Sequence, residues 1–429
     1  MGFNTLLRLS FPAFFMKTTL FFALVGLLAG PLAASAQTAI DTTGGRYYRP
    51  VFPAVTVASN VAYGSAVTYQ GATQTLLMDI YQPTGDGLAR RPVIIFAHQG
   101  GFLAGSRTDA YMVAVCTQFA RLGYVTASIE YRLGFPITGF PPPAADTVGV
   151  AQAAIRGMQD LRAAVRFFRR DAATANAYRV QPSYIAVGGS SAGAFAALEV
   201  GYLDKAAEVP AYVGLAALGG IEGQSGNPGY SSLPLAVLNL SGATENPALI
   251  EPGNAPLCSV HGTADATVPY LQGRIGAGLP PKYVYGSGRL HPRAAALGIR
   301  NTLRTLRGAG HIPFERSAAY ADTTFRTIRD FLRPVLALPG TALATASPRA
   351  SAAAPPAEAY PNPAADVVHL LLPEALPLPA EARLLDATGR TVRTFVPTGK
   401  DLDVRRGSLP AGLYYLKFSG QVPVRIEFK

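Results

Sequence analysis

The segment Gly189-Ser190-Ser191-Ala192-Gly193 constrains the fold of this chain more than any other. It lies between a predicted strand at 183–187 and a small-residue helical pattern at 192–202. A serine flanked by glycines two positions away on each side is typical of a strained strand-to-helix turn, where a Cβ at either glycine would collide with a neighbouring strand or helix. Ser191 is the candidate nucleophile and Ser190 its neighbour. The chain has 44 glycines, so a structural Gly/Ser turn is the alternative, and the rest of the sequence must decide.

Strand and helix patterns alternate after residue 50. Two or three strands are predicted within 51–82. Apolar runs then predict buried strands at 92–97, 124–129, 235–240 and 255–260, and further strands are expected at 183–187 and 301–306. Helical patterns at 108–122, 147–170, 192–202 and 317–332 separate them. This order predicts an α/β fold with a doubly wound, mostly parallel sheet. The segment 204–232 does not fit a simple crossover, and we expect its Gly-rich part, 219–229, to lie over the carboxyl edge of the sheet.

The C-terminal part has a different composition. Residues 339–358 are mostly Ala, Pro and Ser, which predicts an extended linker between a catalytic domain at 37–338 and a C-terminal domain at 359–429. Within that last domain, short strand patterns occur at 367–372, 381–385, 391–396, 401–404, 412–418 and 422–428. Strands without crossover helices predict a small all-β sandwich.

The N-terminus has the pattern of a secretory signal peptide at 1–36. Lys17 precedes an apolar run at 20–29, and Ala34-Ser35-Ala36 follows as a cleavage site. A start at Met16 would give a signal of ordinary length. A membrane anchor is the alternative, but the apolar run is short for a span and is followed by a small-x-small site. We therefore expect an exported protein with no stable membrane span.

Charge and cysteine content exclude several classes of function. The formal charge of +11 comes mostly from dispersed arginines. Arg162, Arg166, Arg169 and Arg170 are expected to form a solvated helix face, and no dense basic run predicts nucleic-acid binding. Two distant cysteines and five histidines have no metal-ligand spacing, so no metal and no cofactor is expected. Cys116 and Cys258 lie in apolar patterns that favour buried free thiols over a disulfide.

An acid and a base follow Ser191 in the chain, each after a predicted strand. A serine hydroxyl becomes a good nucleophile when an imidazole takes its proton and a carboxylate orients that imidazole. Asp265 follows the strand at 255–260, and His311 follows Gly308-Ala309-Gly310 on the loop after the strand at 301–306. Alone, Asp265 could be an Asx-turn carboxylate and His311 an exposed loop residue. Together and in this order, they predict an orienting acid and a general base.

The oxyanion of an acyl-transfer intermediate needs backbone N–H donors. Ala192, directly after the candidate nucleophile, is expected to supply one. Gly100 and Gly101, after the strand at 92–97, are expected to supply the others, since glycine lets the backbone approach a substrate closely. The remaining histidines are assigned structural positions, with His98 and His261 bracing loops and His291 and His369 on the surface.

These motifs together resemble the secreted carboxylesterase and lipase branch of the α/β-hydrolase fold. The resemblance covers about residues 50–335 and includes His98-Gln99-Gly100-Gly101, the turn at Ser191, the H-G-x-x-D motif ending at Asp265 and the G-x-G-H motif ending at His311. It implies a serine carboxylesterase that hydrolyses carboxylic esters through an acyl-enzyme. Gln99 departs from the family, where a glycine usually stands, and 204–232 replaces a familiar lid.

The C-terminal domain resembles the sorting domain of type IX secretion substrates. The resemblance covers about residues 358–429 and includes Ala359-Tyr360-Pro361-Asn362-Pro363, the motif L-D-A-T-G-R at 385–390 and the motif L-P-A-G-L-Y-Y-L at 409–416. It implies interaction with the type IX machinery and export through the periplasm and across the outer membrane, to the medium or the cell surface. A carbohydrate-binding or spacer sandwich is the alternative.

Two other functions remain open at this point. A serine peptidase of the same fold would use the same three residues, but such enzymes usually carry an extra propeller domain, and no repeats precede this domain. A binding module on an inactive hydrolase scaffold would lack one of the three residues. The expected substrate is an ester, and export favours polymer-borne acyl groups. No residue pattern predicts the acyl-chain preference.

Overall fold

The computed structural model describes residues 40–138, 144–276, 282–337, 358–372, 378–386, 390–418 and 424–429. The predicted signal peptide at 1–36 lies outside the described residues, as does the predicted linker except for Glu358. The proposed domain boundaries remain predictions. None of the helices in the described ranges is long and apolar enough to cross a membrane.

An eight-stranded sheet forms the centre of the first part of the chain. Its strands are β1 (Val55–Val67), β2 (Thr73–Pro83), β3 (Arg91–Ala97), β4 (Val125–Ile129), β5 (Val180–Ser190), β6 (Val237–Leu240), β7 (Leu257–Gly262) and β8 (Asn301–Leu306). Their order is β1-β2-β4-β3-β5-β6-β7-β8. The pairs β1/β2 and β2/β4 are antiparallel and all other pairs are parallel. The predicted doubly wound, mostly parallel sheet is confirmed.

Helices cover both faces of this sheet. They are α1 (Ala110–Arg121), α2 (Thr147–Ala173), α3 (Ala192–Tyr202), α4 (Ser287–Ala296) and α5 (Ala318–Val335). Side chains alternate along β3, so Val93 and Ile95 belong to the core that contains α2 and α3, while Ile94 and Phe96 belong to the core that contains α1 and α5. Burial on both faces explains why the inner strands are continuous apolar runs.

Helix α4 was not predicted from the sequence. Gly286 precedes it, Gly288 lies in its first turn, and Pro292 lies inside it, so local residue preferences favour a turn there. The helix is stabilised by packing, and its side chains Leu290 and Ala294 are buried. A small antiparallel sheet of Ala243–Thr244, Gln272–Arg274 and Tyr283–Gly286 lies beside it in the chain and was also not predicted.

The surface position expected for His291 is wrong. His291 is carried by α4 and is only 4% exposed. Its Nδ1 lies 2.9 Å from Oδ1 of Asn301 at the start of β8. Burial lowers the pKa of His291 to about 4, so the imidazole is neutral in the folded protein at neutral pH.

The solvated face expected for the arginines of α2 is also wrong. Arg162, Arg166 and Arg169 are 2%, 3% and 3% exposed, and only Arg170 lies on the surface. A guanidinium offers five N–H donors, enough to satisfy several carbonyl groups of a segment that has no regular structure of its own. The sequence shows the arginines but not the distant carbonyls that they bind.

Most of those carbonyls belong to the segment 204–232, and the others to the residues directly before and after it. The segment therefore packs along α2. Arg162 donates to the carbonyls of Leu203 and Ile221, Arg166 to those of Glu222 and Gly226, and Arg169 to those of Ser231 and Leu233. The Gly-rich part also contacts β1, where a Cβ on Gly64 would lie 1.8 Å from the Ser225 carbonyl oxygen. The segment runs beside α2 and β1, and the expected position over the carboxyl edge of the sheet is corrected accordingly.

The two cysteines lie in the core between the sheet and helices α1 and α5. Cys116 on α1 and Cys258 on β7 are buried free thiols, as predicted. Burial raises the pKa of each thiol, which keeps both protonated and poorly nucleophilic.

The C-terminal part forms two antiparallel sheets. Its strands are β9 (Glu358–Tyr360), β10 (Val367–Leu371), β11 (Ala382–Asp386), β12 (Thr391–Phe395), β13 (Asp401–Arg405), β14 (Gly412–Phe418) and β15 (Val424–Phe428). The orders are β9-β10-β13 and β12-β11-β14-β15. Val368 and Val404 of one sheet share a core with Leu384, Leu416 and Ile426 of the other. The predicted small β domain is confirmed.

Candidate active site

A strained turn presents Ser191 at the carboxyl end of β5. Strand β5 ends at Ser190 and helix α3 begins at Ala192, which leaves Ser191 with φ 51° and ψ −115°. This conformation is costly for a residue with a side chain. A Cβ on Gly189 would lie 2.3 Å from the Gly193 carbonyl carbon, and one on Gly193 would lie 2.1 Å from the Ala97 carbonyl oxygen. The spacing of the two glycines is therefore a steric requirement of the turn.

The structure brings Ser191, His311 and Asp265 together. His311 Nε2 lies 2.8 Å from Ser191 Oγ, and His311 Nδ1 lies 2.7 Å from Asp265 Oδ2. A carboxylate can only accept, so the neutral imidazole donates from Nδ1–H to Asp265 and its Nε2 accepts from the Ser191 hydroxyl. Proton transfer from the serine to the imidazole is possible in this geometry without any rearrangement.

Asp265 is held as an anion by the loop after β7. Its Oδ1 accepts the N–H groups of Thr267 and Val268 at 2.9 and 2.8 Å. Burial alone would raise the pKa of Asp265, but hydrogen bonds from His261 and His311, with the Val268 N–H, lower it well below the usual range. The carboxylate therefore stays charged at neutral pH and gives His311 a negative partner.

A second imidazole supports the same carboxylate. His261 lies in β7, fully buried, with Nε2 3.3 Å from Asp265 Oδ2 and 3.0 Å from the Val268 carbonyl oxygen. Its Nδ1 lies 2.9 Å from Ser287 Oγ at the start of α4. His261 thus braces the loop that carries Asp265, in agreement with its predicted structural position.

The loop that carries His311 is fixed at both ends. A Cβ on Gly262 would lie 2.3 Å from the Ala309 carbonyl oxygen, so the loop packs directly on the end of β7. Beyond the histidine, Glu315 Oε1 accepts a hydrogen bond from Ser190 Oγ at 2.5 Å. Sequence reasoning missed Glu315, because only the folded chain places it beside the turn, and no motif marks it.

The loop with Gly100 and Gly101 lies next to β3 and is held by His98. Gly100 has φ 120° and Gly101 has φ 63°, and a Cβ on Gly100 would lie 2.0 Å from the Ala104 carbonyl oxygen. His98 is fully buried, stacks on Tyr131 with ring centroids 4.3 Å apart, and accepts the Tyr131 hydroxyl at its carbonyl oxygen. The loop is thus pre-formed. Its left-handed backbone favours glycine at both positions, and at Gly100 the clash of a Cβ makes glycine a steric requirement.

The side chain of Gln99 has a partner at Asp109, the residue directly before α1. Its Nε2 donates to Asp109 Oδ2 at 3.0 Å, and Asp109 also accepts the Ser106 N–H. The departure from a glycine at this position is thereby accommodated. Ala192 begins α3, where the first N–H groups of a helix have no partner within the helix and are free to bind an anion.

Comparison with known families matches both parts of the chain. Residues 78–225 match the family model BD-FAE, and residues 358–425 match a family model described as a secretion system C-terminal sorting domain. No curated protein matches the chain.

Similar solved structures include esterase 2 of Thermogutta terrifontis phosphorylated by paraoxon. It is 22% identical, covers 66% of this chain and 95% of its own, and has a TM-score of 0.45. The propionate-bound form of the same esterase is 23% identical, covers 66% and 95% of the two chains, and has a TM-score of 0.43. A truncated form of a carbohydrate esterase from gut microbiota is 19% identical, covers 68% and 99%, and has a TM-score of 0.46.

Proposed function

This chain has an α/β-hydrolase domain that matches the BD-FAE family and a C-terminal type IX sorting domain, and we propose that it is an exported serine carboxylesterase. The observation that supports this proposal most directly is the hydrogen-bonded series Ser191, His311 and Asp265. The strands that precede these residues, β5, β7 and β8, are parallel and end at the same edge of the sheet.

In the proposed acylation step, Ser191 Oγ attacks the acyl carbon of the ester while its proton passes to His311 Nε2. Asp265 stabilises the imidazolium that forms. The oxyanion of the tetrahedral intermediate accepts hydrogen bonds from the N–H of Ala192 and from Gly100 and Gly101. When the intermediate collapses, the C–O bond to the alcohol breaks and His311 returns the proton to the departing oxygen.

Deacylation repeats these steps with water. His311 removes a proton from a water molecule that attacks the acyl-enzyme, and the carboxylic acid leaves as Ser191 recovers its proton. Each oxyanion donor is expected to contribute about 3–4 kcal/mol to transition-state stabilisation, because it is fixed before the charge develops. The tight packing around Gly100 and Gly193 provides that rigidity.

Hydrolysis of a p-nitrophenyl acyl series beside a peptide p-nitroanilide tests this function against its alternatives. An esterase turns over the esters, with a preference for one acyl length, and leaves the peptide amide nearly untouched. Faster turnover of the anilide would support the peptidase alternative. No turnover of either substrate would support a binding module on an inactive scaffold.

We further propose that the C-terminal domain directs export and takes no part in hydrolysis. It contributes none of Ser191, Asp265, His311 or the loop with Gly100 and Gly101, which we call the oxyanion loop. Truncation after Leu338 should therefore leave turnover per molecule nearly unchanged and retain the protein in the periplasm of a host with the type IX machinery. Equal export of both forms would reject the sorting role, and a large loss of specific activity would favour a substrate-binding role for the domain.

A further inference from the structure

A cavity of about 570 Å³ lies between the tip of the β1/β2 hairpin, helix α2 and the turn at 216–219. Its walls include Thr68 and Thr73 of the hairpin, Arg132 after β4, Arg156 of α2, and Gln224. We call it the arginine cavity. Its volume is in the range of small-molecule sites and would accommodate a single sugar residue or a phosphate with its water.

The two arginines of this cavity have different partners. Arg132 is paired with Asp160, whose carboxylate accepts hydrogen bonds from its Nε at 3.0 Å and from its backbone N–H at 2.7 Å. The hydroxyl of Ser225 occupies the same carboxylate at 2.5 Å. The carboxylate of Asp160 is therefore already hydrogen-bonded to both Arg132 and Ser225.

Arg156 has no such partner. It is only 4% exposed, yet within the described ranges no carboxylate lies within ion-pair distance of its guanidinium. Its one hydrogen bond to a described residue runs from Nη2 to the Gly134 carbonyl oxygen at 2.9 Å, and its Nε is buried without a partner. Burial and then the nearby charge of Arg132 lower the pKa of Arg156 to about 10, which leaves it charged at neutral pH.

The carboxylate of Asp160 acts favourably on Arg156, but Arg132 already pairs with it, so two buried cations share one anion. A buried cation with so little counter-charge is expensive, and such groups usually indicate a missing ligand or ion. The hairpin side of the cavity adds a second unpartnered polar atom, since no described residue binds the buried Oγ1 of Thr68. An anion in the cavity would satisfy the charge of Arg156 and accept a hydrogen bond from a hydroxyl of the wall.

We propose that the arginine cavity is an anion-binding site that takes a carboxylate or a phosphate group beside Arg156. The carboxylate would come from an acidic sugar and the phosphate from solution or from a phosphorylated ligand. The site is separate from Ser191 but connected to the oxyanion loop, because Gly134, which accepts from Arg156, donates its own N–H to the Phe102 carbonyl oxygen at 2.7 Å.

Titration calorimetry of the full-length protein with glucuronate, inorganic phosphate and neutral glucose tests this inference without any measurement of turnover. We expect one of the two anions to bind with a Kd of about 1 mM or tighter, and glucose not to bind. Binding of glucuronate alone would identify the carboxylate of an acidic sugar as the ligand, and binding of phosphate alone would identify phosphate. Failure of both anions to bind the wild-type protein at millimolar concentrations would overturn the proposal.

Variants of two arginines on the same helix locate the site. Arg156→Gln should weaken anion binding at least about tenfold, as expected for loss of a charge-assisted hydrogen bond. Arg170→Gln, at an exposed position of α2, is the matched control and should bind as the wild type does. Equal binding by Arg156→Gln and the wild type would reject the site. If Arg156→Gln does not fold, Thr68→Val on the opposite wall replaces it as the test variant. We expect Thr68→Val to bind the anion more weakly than the wild type, and unchanged binding would reject the site.

Discussion

Ser190 Oγ donates a hydrogen bond of 2.5 Å to Glu315 Oε1, and this contact joins the turn before the candidate nucleophile to the loop that carries His311. Burial raises the pKa of Glu315, and the hydrogen bond from Ser190 opposes that rise. The turn at Ser191 and the loop of His311 are thus connected by a polar contact that is separate from the Ser191–His311 hydrogen bond. Its expected effect is to hold the imidazole at the correct distance from Ser191.

Removing this contact should reduce turnover without abolishing it. We expect Ser190→Ala to lower kcat by about tenfold, because a small displacement of His311 weakens proton transfer. Glu315→Gln keeps an acceptor for the Ser190 hydroxyl and should have a smaller effect. Steady-state hydrolysis of p-nitrophenyl acetate measures both variants. A loss in Ser190→Ala as large as that in Ser191→Ala would show that the nucleophile is misassigned.

Asp265→Asn should lower kcat by about 10⁴. The amide cannot stabilise the imidazolium of His311, and it favours the tautomer in which Nε2 cannot accept the serine proton. The exposed Asp322→Asn on α5 is the control and should retain full activity. Activity of Asp265→Asn within tenfold of the wild type would mean that another carboxylate orients His311.

His291 should make folding stability depend on pH in the mildly acidic range. Its pKa is about 4 in the folded protein and about 6.5 when unfolded, so between these values the unfolded chain binds more protons. The stabilisation is fully present above pH 6.5 and is lost as the pH falls towards 4, at up to about 1.4 kcal/mol per pH unit. Urea unfolding at pH values from 7 to 4 should show that the free energy of unfolding falls less steeply for His291→Gln than for the wild type. Equal pH dependence of the free energy of unfolding in the two proteins would show that His291 does not cause the loss.

Arg166 should contribute strongly to stability through the segment 204–232. Arg166→Met leaves the carbonyls of Glu222 and Gly226 without a donor, and we expect a loss of about 2–4 kcal/mol in the free energy of unfolding. Arg170→Met, on the exposed face of the same helix, should change stability by less than about 0.5 kcal/mol. Similar urea midpoints for the two variants would show that the segment is held by other contacts.

The sequence predicts this fold well where a pattern is local. Strand β8 and helix α3 have the predicted bounds. For α3, a row of small residues determines the helix directly. The glycines around Ser191 are predictable for the same reason, since the turn itself requires them. The prediction fails where the determining contacts are distant in the chain.

Three features illustrate this limit. The arginines of α2 were assigned to the surface, because their carbonyl partners lie about 60 residues away in irregular backbone. Helix α4 contains Pro292 and depends on packing that outweighs local preference. Glu315 acquires its contact only when the ends of β5 and β8 meet at one edge of the sheet. The positions of Ser191, Asp265 and His311 were predictable because each lies on the turn or loop after a recognisable strand. Their catalytic roles remain predictions.

The identity of the nucleophile is tested most directly by locating a covalent adduct. A fluorophosphonate reacts with an activated serine and mimics the tetrahedral intermediate, so one equivalent should inactivate the full-length protein and add one phosphonyl group. Peptide mapping by mass spectrometry should place this group on Ser191, and the Ser191→Ala variant should remain unlabelled and lose turnover by about 10⁶. A label on Ser190 or on any other residue, or full inactivation without an adduct on Ser191, would contradict the proposed mechanism.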